Sequence, residues 1–211
     1  MKRKRTQEEK SPVELVEEAF QLLRIAPASC LAGYYLGTLP FVLVFLFFWS
    51  DMARSAFAHE RLMAGVLGLS ALFIWMKTWH GVFARQLLAH LCGEPAPRLT
   101  ARWLLRIAAH QTIVQPLGLF ILPISLALLA PLGWSYAFFT NATVFSGGPA
   151  GDLRGVLSMS WQQARLWVMQ SHYVLFLFKL FGLFVFLNVM SVVMAVPFLL
   201  KVLLGDRKSV V

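Results

Sequence analysis

The feature that most constrains this chain is the stretch Ile107–Gly151, which contains no Lys, Arg, Asp or Glu. It runs for about 45 residues, enough for two helical crossings of a bilayer whose apolar core needs roughly 20 residues per helix. The chain is 58% hydrophobic and only 14% charged, whereas an ordinary soluble domain is about 25% charged. The sequence therefore predicts an all-α fold, a polytopic transmembrane helical bundle.

The basic residues lie beside the apolar segments, although the formal net charge is +9. Residues 1–10 form a polar tail, predicted to be disordered, in which residues 2–5 are all basic. The connection Arg85–Arg106 holds four arginines against the single acid Glu94. Cations that flank apolar spans are typical of cytoplasmic loops. The pattern predicts a multi-pass protein with a cytoplasmic N-terminus, bound to the lipid bilayer, and gives no reason to expect a nucleic-acid partner.

Residues 11–205 are predicted to form a single helical membrane domain of four or five spans. Five are favoured, near 30–50, 62–83, 103–121, 124–145 and 173–200. Amphipathic helices over 12–25 and 152–167 are expected at the membrane interface. The third and fourth spans would form a hairpin that turns near Leu122 and Pro123. The alternative is one kinked span followed by an amphipathic segment from Gly133, which leaves four spans and a weaker bias of positive charge toward the cytoplasm.

The last residues, 206–211 (DRKSVV), are predicted to be non-native, because a widely used sequencing-adapter sequence can encode them. The natural chain would then continue past Gly205, into further spans or a soluble domain.

Glycines at helical spacing point to close helix packing. Gly33 and Gly37 form a GxxxG pattern in the first span, and Gly65 and Gly68 occur in the second. Small residues let helix backbones approach closely. Packing within the chain is the favoured use, and self-association through the GxxxG face is the alternative.

Six polar residues fall inside the predicted spans, where polar groups are costly and often functional. They are candidates for one intramembrane polar site: Lys77, His80, His110, Gln115, Lys179 and Asn188. The structural interpretation is that lysines reach toward the headgroups and that His110, Gln111 and Gln115 hold helices together. The functional alternative, a transport path, requires these residues to line one cavity.

The segment from Tyr136 onward has a recognisable order of elements. An apolar hairpin that ends in aromatics leads through a Gly/Pro link to a helix and then to an apolar span; that helix contains Leu153, Arg154, Leu157, Ser160 and Trp161. This order resembles the polytopic membrane domain of bacterial glycerophosphodiester phosphodiesterases and related bacterial membrane proteins. The usual glycine after the helix is missing, since Leu166 and Trp167 stand there. The resemblance implies an accessory membrane domain of a bacterial inner membrane and carries over no catalytic residue.

Enzyme motifs are missing from the sequence. There is no HExxH or GxSxG pattern, and the apolar segments contain no paired carboxylates. We therefore expect no catalytic residue, metal or cofactor, and interpret the chain as a non-enzymatic accessory, anchoring or assembly module with a possible membrane-protein partner. The alternatives are a transporter or channel component, or the membrane anchor of an enzyme whose catalytic domain is missing.

Overall fold

The computed structural model describes residues 11–55, 57–128, 132–148, 152–166 and 168–205. The tails predicted to be disordered (1–10) and non-native (206–211) lie outside the described residues. Within those residues the chain is built from α-helices and contains no strand, which confirms the all-α prediction. The helices are α1 (Pro12–Ile25), α2 (Ala28–Arg54), α3 (Ala58–Cys92), α4 (Ala101–Leu128), α5 (Leu132–Ser146), α6 (Leu153–Leu166) and α7 (Val168–Gly205).

Local sequence sets the start of α1. Ser11 accepts a hydrogen bond of 3.2 Å from the backbone N–H of Glu14, and the Glu14 carboxylate accepts one of 2.8 Å from the backbone N–H of Ser11. Pro12 occupies the first turn, where its missing N–H costs nothing. This reciprocal capping box satisfies two N–H groups that a helix start leaves free, and α1 has the bounds predicted for the first amphipathic helix.

Four of the described helices are long and apolar enough to cross a membrane: α2, α3, α4 and α7 over Val168–Val193. The chain is thus a multi-pass membrane protein by length and composition. α5 has 15 residues, about 22 Å at the α-helical rise, against a hydrocarbon core of about 30 Å. The described helices therefore supply four candidates of sufficient length, the number in the alternative prediction, and α5, predicted as the fourth of five spans, is shorter than the core.

α4 and α5 form the predicted hairpin, but the predicted turn position is wrong. α4 continues through Pro116 and Pro123 to Leu128 and α5 begins at Leu132, so the chain does not reverse near Leu122 and Pro123. The Oγ atoms of Ser125 and Ser135 lie 2.8 Å apart near the reversal. At the other end Trp103 Nε1 donates to the Gly147 carbonyl at 3.3 Å. α5 therefore runs antiparallel to α4 along most of its length.

α2 and α3 form a second antiparallel pair. Trp79 of α3 lies against Gly33 and Gly37 near the start of α2, while Phe48 near the end of α2 lies against Gly65. α3 has 35 residues, about 52 Å, so it is longer than the apolar core is thick. We call the end of the bundle where α3 stops and α4 starts the basic end, because Arg85, Arg98, Arg102 and Arg106 lie around it.

The small hydrophobic core joins three helices: Val114 of α4, Phe139 and Ala142 of α5, and Val156 of α6. α6 buries Val156, Ser160 and Ala164, a stripe with a spacing of four residues that identifies one helix face. Further along α6, the Trp161 ring packs edge-on against Trp134 of α5 at 4.6 Å. The helix predicted over 152–167 thus packs lengthwise on α5 and keeps residues such as Arg154 and Gln162 exposed.

Candidate functional site

A polar cluster is buried between α4 and α5 and consists of Gln111, Gln115, Thr143 and Ser146. Each of these residues is at most 6% exposed. Gln111 Nε2 donates to Ser146 Oγ at 2.8 Å, and Gln115 Nε2 lies 2.8 Å from Gln111 Oε1 and 3.0 Å from Thr143 Oγ1. Hydrogen bonds of the cluster therefore connect one turn of α5 to two successive turns of α4.

The hydroxyl groups of the polar cluster are satisfied as well. Ser146 Oγ donates to the carbonyl of Thr143 at 2.7 Å, and Thr143 Oγ1 donates to the carbonyl of Phe139 at 3.1 Å. Amides and hydroxyls carry no charge and do not titrate near neutral pH. Hydrogen bonds of this kind between helices stabilise helix packing in an apolar bundle.

α3 closes the polar cluster on its third side. A Cβ built on Gly81 would lie 3.0 Å from Ser146 Oγ and 3.1 Å from the Thr143 carbonyl oxygen. Ile107 of α4 is fully buried beside them, and its Cγ2 would be 3.2 Å from the same Cβ. The backbone of α3 thus lies directly on the cluster, which leaves no gap there for a solute.

Two of the six predicted site residues lie at this contact. Gln115 belongs to the polar cluster, whereas His110 lies next to it on α4, is 7% exposed, and has an Nδ1 atom without a hydrogen-bond partner among the described residues. Thr143 and Ser146 were not among the predicted site residues. Their spacing of three residues on the returning arm of the hairpin was the available signal, since it places them on one face.

Two other predicted site residues, Lys77 and His80, lie on α3. His80 Nε2 lies 3.0 Å from Thr38 Oγ1 of α2, and its ring stacks on Tyr34 with centroids 4.8 Å apart. Lys77 Nζ sits 5.6 Å from the centre of the Phe73 ring. His80 faces α2, whereas its neighbour Gly81 faces the polar cluster. The backbone of α3 therefore separates His80 from the polar cluster.

The remaining two predicted site residues, Lys179 and Asn188, lie on the exposed surface of α7. Asn188 Nδ2 donates to the Phe184 carbonyl of its own helix at 2.7 Å. The six predicted residues therefore occupy three separate places and do not line one cavity within the described part of the chain. The described residues also contain no group of three His, Cys, Asp or Glu side chains able to hold a metal ion.

The predicted packing glycines do not all make close contacts. A Cβ on Gly37 would lie 2.6 Å from Trp79 Cβ, and one on Gly65 would lie 2.6 Å from the Phe48 ring. Gly33 lies in ordinary contact with Trp79. A Cβ on Gly68, by contrast, would meet no described atom within 4 Å, so Gly68 makes no close contact within the described chain. The sequence interpretation did not include Gly81, which makes the closest backbone contact with the polar cluster.

Comparison with protein-family models, characterised proteins and solved structures finds no match to this chain. The resemblance to the phosphodiesterase membrane domain therefore stays a prediction.

Proposed function

We propose that this is a non-enzymatic integral membrane protein of a bacterial inner membrane that serves as an accessory, anchoring or assembly module. The observation that carries the proposal is that the side chains of the polar cluster bond to one another. The Gln111 amide donates to Ser146 and accepts from Gln115. Polar groups that satisfy one another hold helices together and offer nothing to a passing solute.

The rival function, a transporter or channel component, needs polar side chains that converge on a water-accessible path. Lys77, His110 and Asn188 lie on three different helices, and Asn188 bonds to its own backbone. The rival therefore lacks the arrangement that it requires among the described residues.

α7 supplies the surface for a lipid or protein neighbour. Its apolar window Val168–Val193 has none of its residues buried within the chain, and the rings of Phe181 and Phe184 are 57% and 65% exposed. An apolar surface of this extent is covered by acyl chains or by another membrane protein. An accessory or assembly role uses such a surface directly.

Site-specific photo-crosslinking in native membranes tests the assembly role. A photoreactive amino acid at Phe181 or Phe184 is expected to give a protein adduct of defined mass, to a partner or to a second copy. The control position is Phe139, which is only 5% exposed and faces the core. If the α7 positions give no protein adduct above the Phe139 control, the assembly role is wrong.

The rival function is tested by replacing Lys77, His110 and Asn188 together with alanine. For any solute whose flux across the membrane depends on this protein, we expect the triple variant to leave the flux unchanged. Loss of that flux in a variant that still inserts and folds would overturn the proposal in favour of a transport path.

A further inference from the structure

A cavity of about 520 Å³ that is open to the surface lies at the basic end of the bundle, beside the first turns of α4. It is lined by Thr100, Arg102, Trp103, Leu105 and Arg106. Arg102 and Arg106 are four residues apart on one helix, which places both guanidinium groups on the same face. The cavity is therefore lined by two permanently charged guanidinium groups, those of Arg102 and Arg106, next to the indole ring of Trp103.

One nitrogen of the Arg106 side chain is buried without an acceptor among the described residues. Its Nε atom is inaccessible to solvent and has no hydrogen-bond acceptor among the described residues. A guanidinium stays charged at every physiological pH and has only donors. A buried donor of a charged group is costly unless an acceptor, preferably an anionic one, reaches it.

The acids near this end are already engaged. Glu94 accepts from Arg85 at 3.1 Å, and Asp152 accepts from the backbone N–H of Gly155 at the start of α6. Within the part of the chain that the structure describes, neither Arg102 nor Arg106 has an ion-pair partner. An external anion in the cavity would supply acceptors to the solvent-accessible N–H groups of these two side chains.

The other walls select for a phosphate group at a membrane surface. Thr100 Oγ1 accepts from the backbone N–H of Trp103 at 3.4 Å, which leaves its own hydroxyl hydrogen free to donate. Trp103 is held by its bond to the Gly147 carbonyl, and Leu105 is 70% exposed beside it. Tryptophan with flanking arginine is the usual combination at the headgroup level, and arginine forks match phosphate oxygens.

We propose that this cavity binds a phosphate group, with Arg102, Arg106 and the Thr100 hydroxyl as its donors. An anionic phospholipid headgroup and a soluble phosphate share this chemistry. The exposed Leu105 side chain favours the lipid, because an acyl chain can follow it into the bilayer.

Native mass spectrometry of the full chain, purified in detergent and supplied with phosphatidylglycerol, tests the site. Arg102→Gln with Arg106→Gln is expected to weaken lipid retention about thirtyfold, since each arginine near a headgroup contributes on the order of 1 kcal/mol. The matched control is Arg54→Gln with Arg61→Gln, which removes the same charge at the opposite end of the bundle and is expected to change little. Equal retention in the two double variants would overturn the proposal.

A conservative double variant distinguishes loss of lipid binding from loss of folding. Arg102→Lys with Arg106→Lys keeps both charges but loses the planar fork, so we expect retention between that of the parent and the glutamine variant. Adding millimolar inorganic phosphate then identifies the source. Displacement of the lipid by phosphate assigns the site to soluble phosphates, whereas persistence of the lipid assigns it to a headgroup. If neither ligand depends on Arg102 and Arg106, the cavity is not a phosphate site.

Discussion

Gln115 Nε2 donates a 2.8 Å hydrogen bond to Oε1 of Gln111, one turn earlier on α4. This bond orients the Gln111 amide, because its oxygen is held along α4 and its nitrogen is then directed at Ser146 Oγ on α5. Two glutamines on one helix thus act together as a single connection to the next helix. The connection lies where no water is available to replace a lost bond.

Replacing Gln111 with leucine is therefore expected to destabilise the bundle by about 1 to 2 kcal/mol, because Ser146 and Gln115 each lose a hydrogen bond in an apolar setting. The free energy of unfolding in mixed micelles, measured by titration with a denaturing detergent, reports the change. Gln163→Leu on the exposed side of α6 is the matched control and is expected to be near neutral. Equal stability of the two variants would show that the polar cluster does not hold α4 to α5.

The glycines of α2 and α3 differ in how closely they pack, so alanine substitutions at Gly37 and Gly68 are expected to change stability differently. Gly37→Ala would bring a Cβ to 2.6 Å from Trp79 Cβ and 3.3 Å from the Met76 carbonyl oxygen. The two helices must then separate, which we expect to cost about 1 to 3 kcal/mol. Gly68→Ala meets no described atom within 4 Å and gains helix propensity, so it should be neutral or slightly stabilising. Thermal unfolding in detergent compares the two, and an equal loss in both would refute the packing role of Gly37.

Features set by local sequence were predictable. The membrane class follows from the uncharged stretch 107–151, and the bounds of α1 follow from Ser11, Pro12 and Glu14, whose capping interactions involve residues only three apart. Gly37 was predictable as a contact because small residues let helix backbones approach closely.

Features that depend on a neighbouring helix were not predictable. The turn was placed near Pro123 by a rule for soluble helices, but in an apolar bundle α4 continues through that proline. Gly68 has the same spacing signal as Gly65, yet only Gly65 has an aromatic ring opposite it. The sequence identifies each intramembrane polar residue separately. It does not show whether His80 of α3 contacts His110 of α4, because that depends on which face of α3 packs against α2 and which against α4.

The hairpin of α4 and α5 is testable by disulfide trapping. The Oγ atoms of Ser125 and Ser135 are 2.8 Å apart, so the side chains at these positions meet, and cysteines there are expected to bring their sulfur atoms together. In a background with Cys30 and Cys92 changed to serine, Ser125→Cys with Ser135→Cys is expected to crosslink readily under mild oxidant. Ser125→Cys with Ser158→Cys, on the exposed side of α6, is the negative control. Failure of the first pair to crosslink would refute the described contact between the end of α4 and the start of α5.

The orientation of the bundle is testable with the natural cysteines. Cys92 is exposed at the last residue of α3, at the basic end, whereas Cys30 is buried at 4% exposure near the start of α2. The excess of arginine around Cys92 predicts that this end lies in the cytoplasm. A membrane-impermeant maleimide should therefore label the protein in inverted membrane vesicles and leave it unlabelled in intact spheroplasts. Cys92→Ser should abolish the labelling, since Cys30 is closed by the packing of α2. Labelling of Cys92 from the outer side of spheroplasts would reverse the proposed orientation, and would also place the phosphate cavity beside Arg102 on the opposite face of the membrane.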